Sequence, residues 1–108
     1  MIEGIEVELD GKTYTVAPLN FRAIEKFAPA LQKIQDAGFK MSDVGVVRDI
    51  IASSLRRNHP ELTDDFLLDH LDLKSAPMLL GKVLIASGAG TVATEDEGTQ
   101  SGEAKPIA

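Results

Sequence analysis

The sequence predicts an α+β fold, mainly α, in which an N-terminal two-stranded β-hairpin packs on a bundle of about four helices and a disordered C-terminal tail follows. Three observations predict it. Residues 5–16 alternate apolar and polar side chains around Asp10-Gly11. Residues 21–86 carry apolar side chains at helical spacing in runs separated by capping residues and prolines. After Ser87-Gly88, large aliphatic residues dwindle to Val92 and Ile107. One domain over residues 1–88 and a tail over 89–108 are therefore expected.

In the hairpin, Ile5, Val7 and Leu9 share one face while Glu6, Glu8 and Asp10 take the other. Asp-Gly suits a type I′ turn, whose two central residues both need positive φ. Tyr14 and Val16 continue the inner face on the second strand. A lone hairpin is marginal in water, so this one must pack on something.

Asn20 is a good N-cap for a first helix over about Phe21 to Asp36, with Leu19 placed to staple onto Ile24. Phe21, Ile24, Phe27, Ala28, Leu31 and Ile34 form its stripe, and Gly38 suits its C-terminus. Pro29 lies inside it. An interior proline costs about 3 kcal/mol, so a kink or a break is expected there. Ser42 is expected to open a second helix that buries Val44, Val47, Ile50, Ile51 and Leu55. A third helix should run from about Asp64 to Leu71, capped by Thr63. Ser75 is expected to cap a fourth, with Pro77 in its first turn. That helix is apolar nearly all round, through Met78, Leu79, Leu80, Val83, Leu84 and Ile85, which predicts a central or interface position. The tail is too poor in large apolar residues to offset the entropy of ordering.

Composition excludes several functions. There are no cysteines, so disulfides and thiolate metal sites are out, and a reducing compartment fits. Net charge is −6, from 17 acidic and 11 basic residues, which opposes nucleic acid in the absence of a basic cluster larger than Arg56-Arg57. No apolar run spans a bilayer, and the acidic start does not resemble a secretory signal, so a cytoplasmic protein with no membrane partner is expected. His59 and His70 are the only histidines, read as an exposed turn residue and a helix-surface residue; adjacent Asp69 and His70 diverge on a helix and ligate poorly together. Asp64-Asp65 is explained by a helix N-terminus rather than by acid–base work. No nucleophile elbow and no phosphate loop occurs, so no catalytic, cofactor or metal residue is assigned and no enzyme is expected.

The segment from Ser54 to Leu68 reads as a helix–turn–helix corner, with cations at one helix end, Pro60 in the turn and a capped acidic start to the next helix. Such a corner invites a DNA-binding reading, but the helix after it carries Asp64, Asp65 and Asp69 and no Lys or Arg, against what a recognition helix needs. An interaction module remains. Leu67, Leu71, Leu80 and Leu84 on the apolar helices, with Arg56 at the corner, are the candidate partner-binding residues.

Leu9-Asp10-Gly11-Lys12-Thr13-Tyr14, then Ala17-Pro18-Leu19-Asn20, then Arg57-Asn58-His59-Pro60-Glu61-Leu62-Thr63, followed by a leucine-rich helix and one ending near Ala86-Ser87-Gly88, form an ordered set. In that order they resemble the small tail assembly chaperones of long-tailed bacteriophages and prophages, over roughly residues 5–88. The resemblance implies a non-enzymatic protein that binds the tape measure protein while the tail tube polymerises around it. Other tail proteins are further candidate partners, and self-association stays open. It also implies action in the host bacterial cytoplasm, absence from the finished virion, and in some families a frameshifted longer form. The alternatives are a virion tail component of completion or connector type and, more weakly, a small DNA-binding regulator.

Overall fold

In the computed structural model, which describes residues 1–88, Asp10 and Gly11 reverse the chain with φ of 53° and 74°, both positive as a type I′ turn requires. They join β1 (Ile5–Leu9) to an antiparallel β2 (Lys12–Val16), with Val7 opposite Tyr14 and Ile5 opposite Val16. Val7, Leu9, Tyr14 and Val16 are buried, so the inner face is the one the alternation predicts. Four α-helices follow: α1 (Phe21–Ala37), α2 (Val44–Leu55), α3 (Asp64–His70) and α4 (Ser75–Ala86), with a short 3-10 turn (Met41–Asp43) before α2. A hairpin on a four-helix bundle is thus the architecture expected. The expected disorder of residues 89–108 lies outside the described residues.

The core is built around α2. Val47, Ile50, Ile51, Ala52 and Leu55 are buried, and the helix touches α1, α3, α4 and β2. Of the central or interface position expected for α4, the central one belongs to α2; α4 packs on α2 and the hairpin and leaves Met78 and Ile85 exposed. The helix with the shorter apolar list is the central one of the two, because it packs against the three other helices and β2.

Capping follows the sequence at some helix ends and departs from it at others. Asn20 Oδ1 accepts from the Ala23 N–H at 2.9 Å, and Thr63 Oγ1 accepts from the Phe66 N–H at 3.1 Å, both as expected. Gly38 ends α1 at φ 87°, its N–H donating to Ile34 O. Ser42 does not open α2. Buried Asp43 holds the N-cap position, but its carboxylate makes no cap bond to α2; it fastens the preceding 3-10 turn by accepting from the Lys40 N–H at 2.8 Å and the Lys33 ammonium at 2.9 Å. At α4, Asp72 takes the role expected of Ser75. Its Oδ1 accepts from the Lys74 and Ser75 N–H groups, while Ser75 Oγ accepts from the Asp72 N–H. α3 stops at His70, one residue short of the expected end.

α1 runs through Pro29 as one helix, so of the expected kink or break the break does not occur. Pro29 and Glu25 are both exposed, which lets water satisfy the Glu25 carbonyl that proline cannot bond. α1 is also the least embedded helix. Phe27 is its only buried residue, Ile24, Leu31 and Ile34 are half-buried, and Phe21 is 88% exposed.

The corner between α2 and α3 covers the outer edge of the hairpin. The Thr15 N–H donates to His59 Nε2 at 2.9 Å, and Asn58 exchanges two 2.7 Å hydrogen bonds with the backbone of Ile2. Side chains here do for β2 what a third strand would do, which blunts an exposed strand edge. His59 is therefore half-buried, against the expectation of an exposed turn residue, and its ring meets Tyr14 edge-on at 5.0 Å. The arginines also differ from simple charge compensation at a helix end. Arg56 donates to Leu62 O and to Asp64, and Arg57 donates to Pro18 O. Substituting His59→Ala orphans the Thr15 N–H and removes the ring contact, so unfolding stability should drop by about 2 kcal/mol in urea titrations. His59→Gln, which keeps an acceptor, should recover part of that loss.

Candidate functional site

Exposed apolar side chains concentrate at one place. Met41 of the 3-10 turn, Val44 at the start of α2, Leu68 of α3 and Leu73 of the α3–α4 connection rim a groove of about 260 Å³. Met41 is 71% exposed, Leu73 54% and Leu68 52%. Leu67, Leu71, Phe39 and Ala76 line it more deeply. Local sequence explains the arrangement. Leu67 and Leu71 lie four residues apart and face the same way, Leu67 into the core, while Leu68 is turned outward. The chain then leaves α3 in an extended conformation at Leu71, which brings Leu73 round to the same side.

Among the described residues two charged groups border the groove, Arg48 and Asp72, and both are occupied. Arg48 donates twice to Asp49 Oδ1, and Asp72 caps α4. The surface they leave is apolar and offers no acid, base or nucleophile; it can receive apolar side chains and do little else.

Two carboxylates hold its frame. Asp43 pins the 3-10 turn that carries Met41, and its pKa is held below the ordinary value chiefly by the hydrogen bond from Lys33, then by the Lys40 N–H. Asp72 is likewise held low, chiefly by the Ser75 N–H and hydroxyl. A lowered folded-state pKa contributes stability that is complete above the unfolded value of 3.8 and is lost as pH falls through the lower folded value. The thermal midpoint should therefore decline as pH drops below 3.8, and decline less steeply in Asp43→Asn. A pH series of melting curves on both proteins checks this.

The structure brings together two of the five candidate residues. Leu67 forms the groove's floor and Leu71 its wall. Leu80 is buried in the main core, Leu84 packs half-buried against that core, and Arg56 is engaged at the corner. Leu80, at 5% exposure, lines no part of the groove, so the groove adds nothing for it as a member of the candidate set. Met41, Val44, Leu68 and Leu73 join it. The signal for Met41 and Leu73 is two apolar residues in short polar connections, where a solvated loop has no use for them.

Neither histidine reaches a metal-binding arrangement. His70 Nδ1 bonds Phe66 O at 2.8 Å, and among the described residues no group of three His, Cys, Asp or Glu side chains is placed to hold a metal ion. No described helix is long and apolar enough to cross a membrane. No protein-family model, curated protein or solved structure matches the chain.

Proposed function

We propose that the chain is a phage tail assembly chaperone, a non-enzymatic protein that holds the tape measure protein in the host cytoplasm while the tail tube forms. The supporting observation is the groove rimmed by Met41, Val44, Leu68 and Leu73, an apolar patch on a protein of net charge −6. Its size suits one or two turns of a partner helix presenting apolar residues at i, i+3 and i+4. A groove of about 260 Å³ covers little apolar surface, each Å² of it worth about 25 cal/mol, while association costs roughly 4–15 kcal/mol. One groove contact is then weak and reversible. That is what a chaperone needs, since it must release its client, and repeated apolar segments along a long client would engage several copies.

Co-expression with the tape measure protein encoded beside this chain is the test. A chaperone raises the client's soluble yield and co-purifies with it. No gain in yield and no co-purification would sink the proposal. Mass spectrometry of purified particles separates this reading from a tail structural component, because the chaperone is left out of the virion.

A further inference from the structure

The far end of α4 meets the start of α1 at a second, quite different surface. The Leu19 N–H donates to Ser87 Oγ at 2.8 Å, and Gly88, one residue on, is the last described residue. Asn20, next to Leu19, lines a pocket of about 290 Å³ together with Arg22, Lys26, Ser53 and Arg57. Arg22 and Lys26 sit one turn apart on α1, and Arg57 comes from the corner, where it donates to Pro18 O. Lys26 lies 5.3 Å from the centre of the Phe27 ring. None of the three cations has a carboxylate partner among the described residues, although the chain holds 17 acidic residues.

The sequence beyond Gly88 supplies an acidic counterpart. Glu95-Asp96-Glu97 is the chain's one run of three consecutive acidic residues. Glu95 lies seven residues on from Gly88, with six between them, a reach of up to about 25 Å at 3.3–3.6 Å per residue. The Ser87 tether sets that chain down one residue from the pocket's edge. A tether this short holds the acids near the cations at an effective concentration on the order of millimolar.

We propose that the Arg22, Lys26 and Arg57 pocket is an intramolecular docking site for the acidic segment Glu95-Asp96-Glu97. Docking there ties the C-terminal segment to α1, the least embedded helix. It leaves the apolar groove open, because Ala76 of the groove and Ser87 of the tether lie at opposite ends of α4. The contacts are between exposed charges, so they must weaken as salt shortens the screening length from about 10 Å at 0.1 M to about 3 Å at 1 M.

The chain has no cysteine, so Thr94→Cys in the full-length protein accepts a single spin label. Amide relaxation is then read by NMR at low and high salt. At low salt the label should reduce peak intensity at Arg22, Ala23, Lys26, Ser53 and Arg57 by about two-fold or more, and about 1 M salt should restore it. Glu95→Gln/Asp96→Asn/Glu97→Gln should restore it at low salt, and Arg22→Gln/Lys26→Gln should do so from the other side. Equal broadening in the wild type and the charge variants, or broadening centred on Met41, Val44 and Leu68, would overturn the proposal. So would broadening that appears when labelled protein without isotope is mixed with unlabelled isotopic protein, since docking would then be between copies.

Discussion

Under the proposed chaperone function, Leu68→Asp or Leu73→Asp should cut capture of the tape measure protein by about two orders of magnitude while the chain stays folded. Both side chains are about half exposed in the free protein, so a carboxylate at either position points into water and costs little. Once a client helix covers the groove, the same carboxylate is desolvated, and the one described cation that lines the groove, Arg48, already bonds Asp49. An unpaired buried charge costs at least about 3 kcal/mol, and each 1.4 kcal/mol is ten-fold in affinity. Ile85→Asp is the control. Ile85 is exposed to a similar degree but sits at the other end of α4, so its substitution should leave capture within about two-fold. Quantitative co-purification with wild-type levels of client, alongside far-ultraviolet circular dichroism, reads both results.

Ile50→Ala should be the most damaging single truncation for the fold, at about 4 kcal/mol. Ile50 has no solvent exposure and lies on the helix that every other helix packs against. Removing a large buried aliphatic costs about 2–5 kcal/mol, toward the upper end where neighbours cannot close the cavity, and Ile50 is held on several sides. Against a total stability of 5–15 kcal/mol, that loss is a large fraction. Leu84→Ala, on a half-buried side chain, should cost about half as much. Guanidinium titrations with equal slopes would compare the two. The Ile50 variant should also weaken client capture, because Val44 and Arg48 of the same helix line the groove.

Much of this fold is legible in the sequence because its signals are local. Asp10-Gly11 dictates its own turn, the alternation around it dictates which face is buried, and Asn20 and Thr63 cap the helices they precede. The misses arise where local choices compete through space. Ser42 and Ser75 are reasonable caps by position, but Asp72 offers a charged acceptor at the start of α4, and Asp43 spends its carboxylate on the 3-10 turn and a lysine from another helix. His59 looks solvent-facing in a Pro-containing turn, since nothing in the sequence says that this turn lies along the edge of β2. The site was half legible for the same reason. Leu67 and Leu71 announce themselves by helical spacing, whereas Leu80 shares that spacing and lies away from the groove. Met41, Val44 and Leu73 converge only because the 3-10 turn and the extended exit from α3 bring separate connections side by side.

The most direct test of the groove as the client site is photo-crosslinking during co-expression. A benzophenone side chain placed at Leu68, in the groove, and separately at Ile85, outside it, would each be irradiated in cells that also make the tape measure protein. The expected result is a crosslinked chaperone–client band from position 68 and none from position 85. A band from position 85 alone, or from neither position while the two proteins still co-purify, would contradict the assignment of the client to this groove.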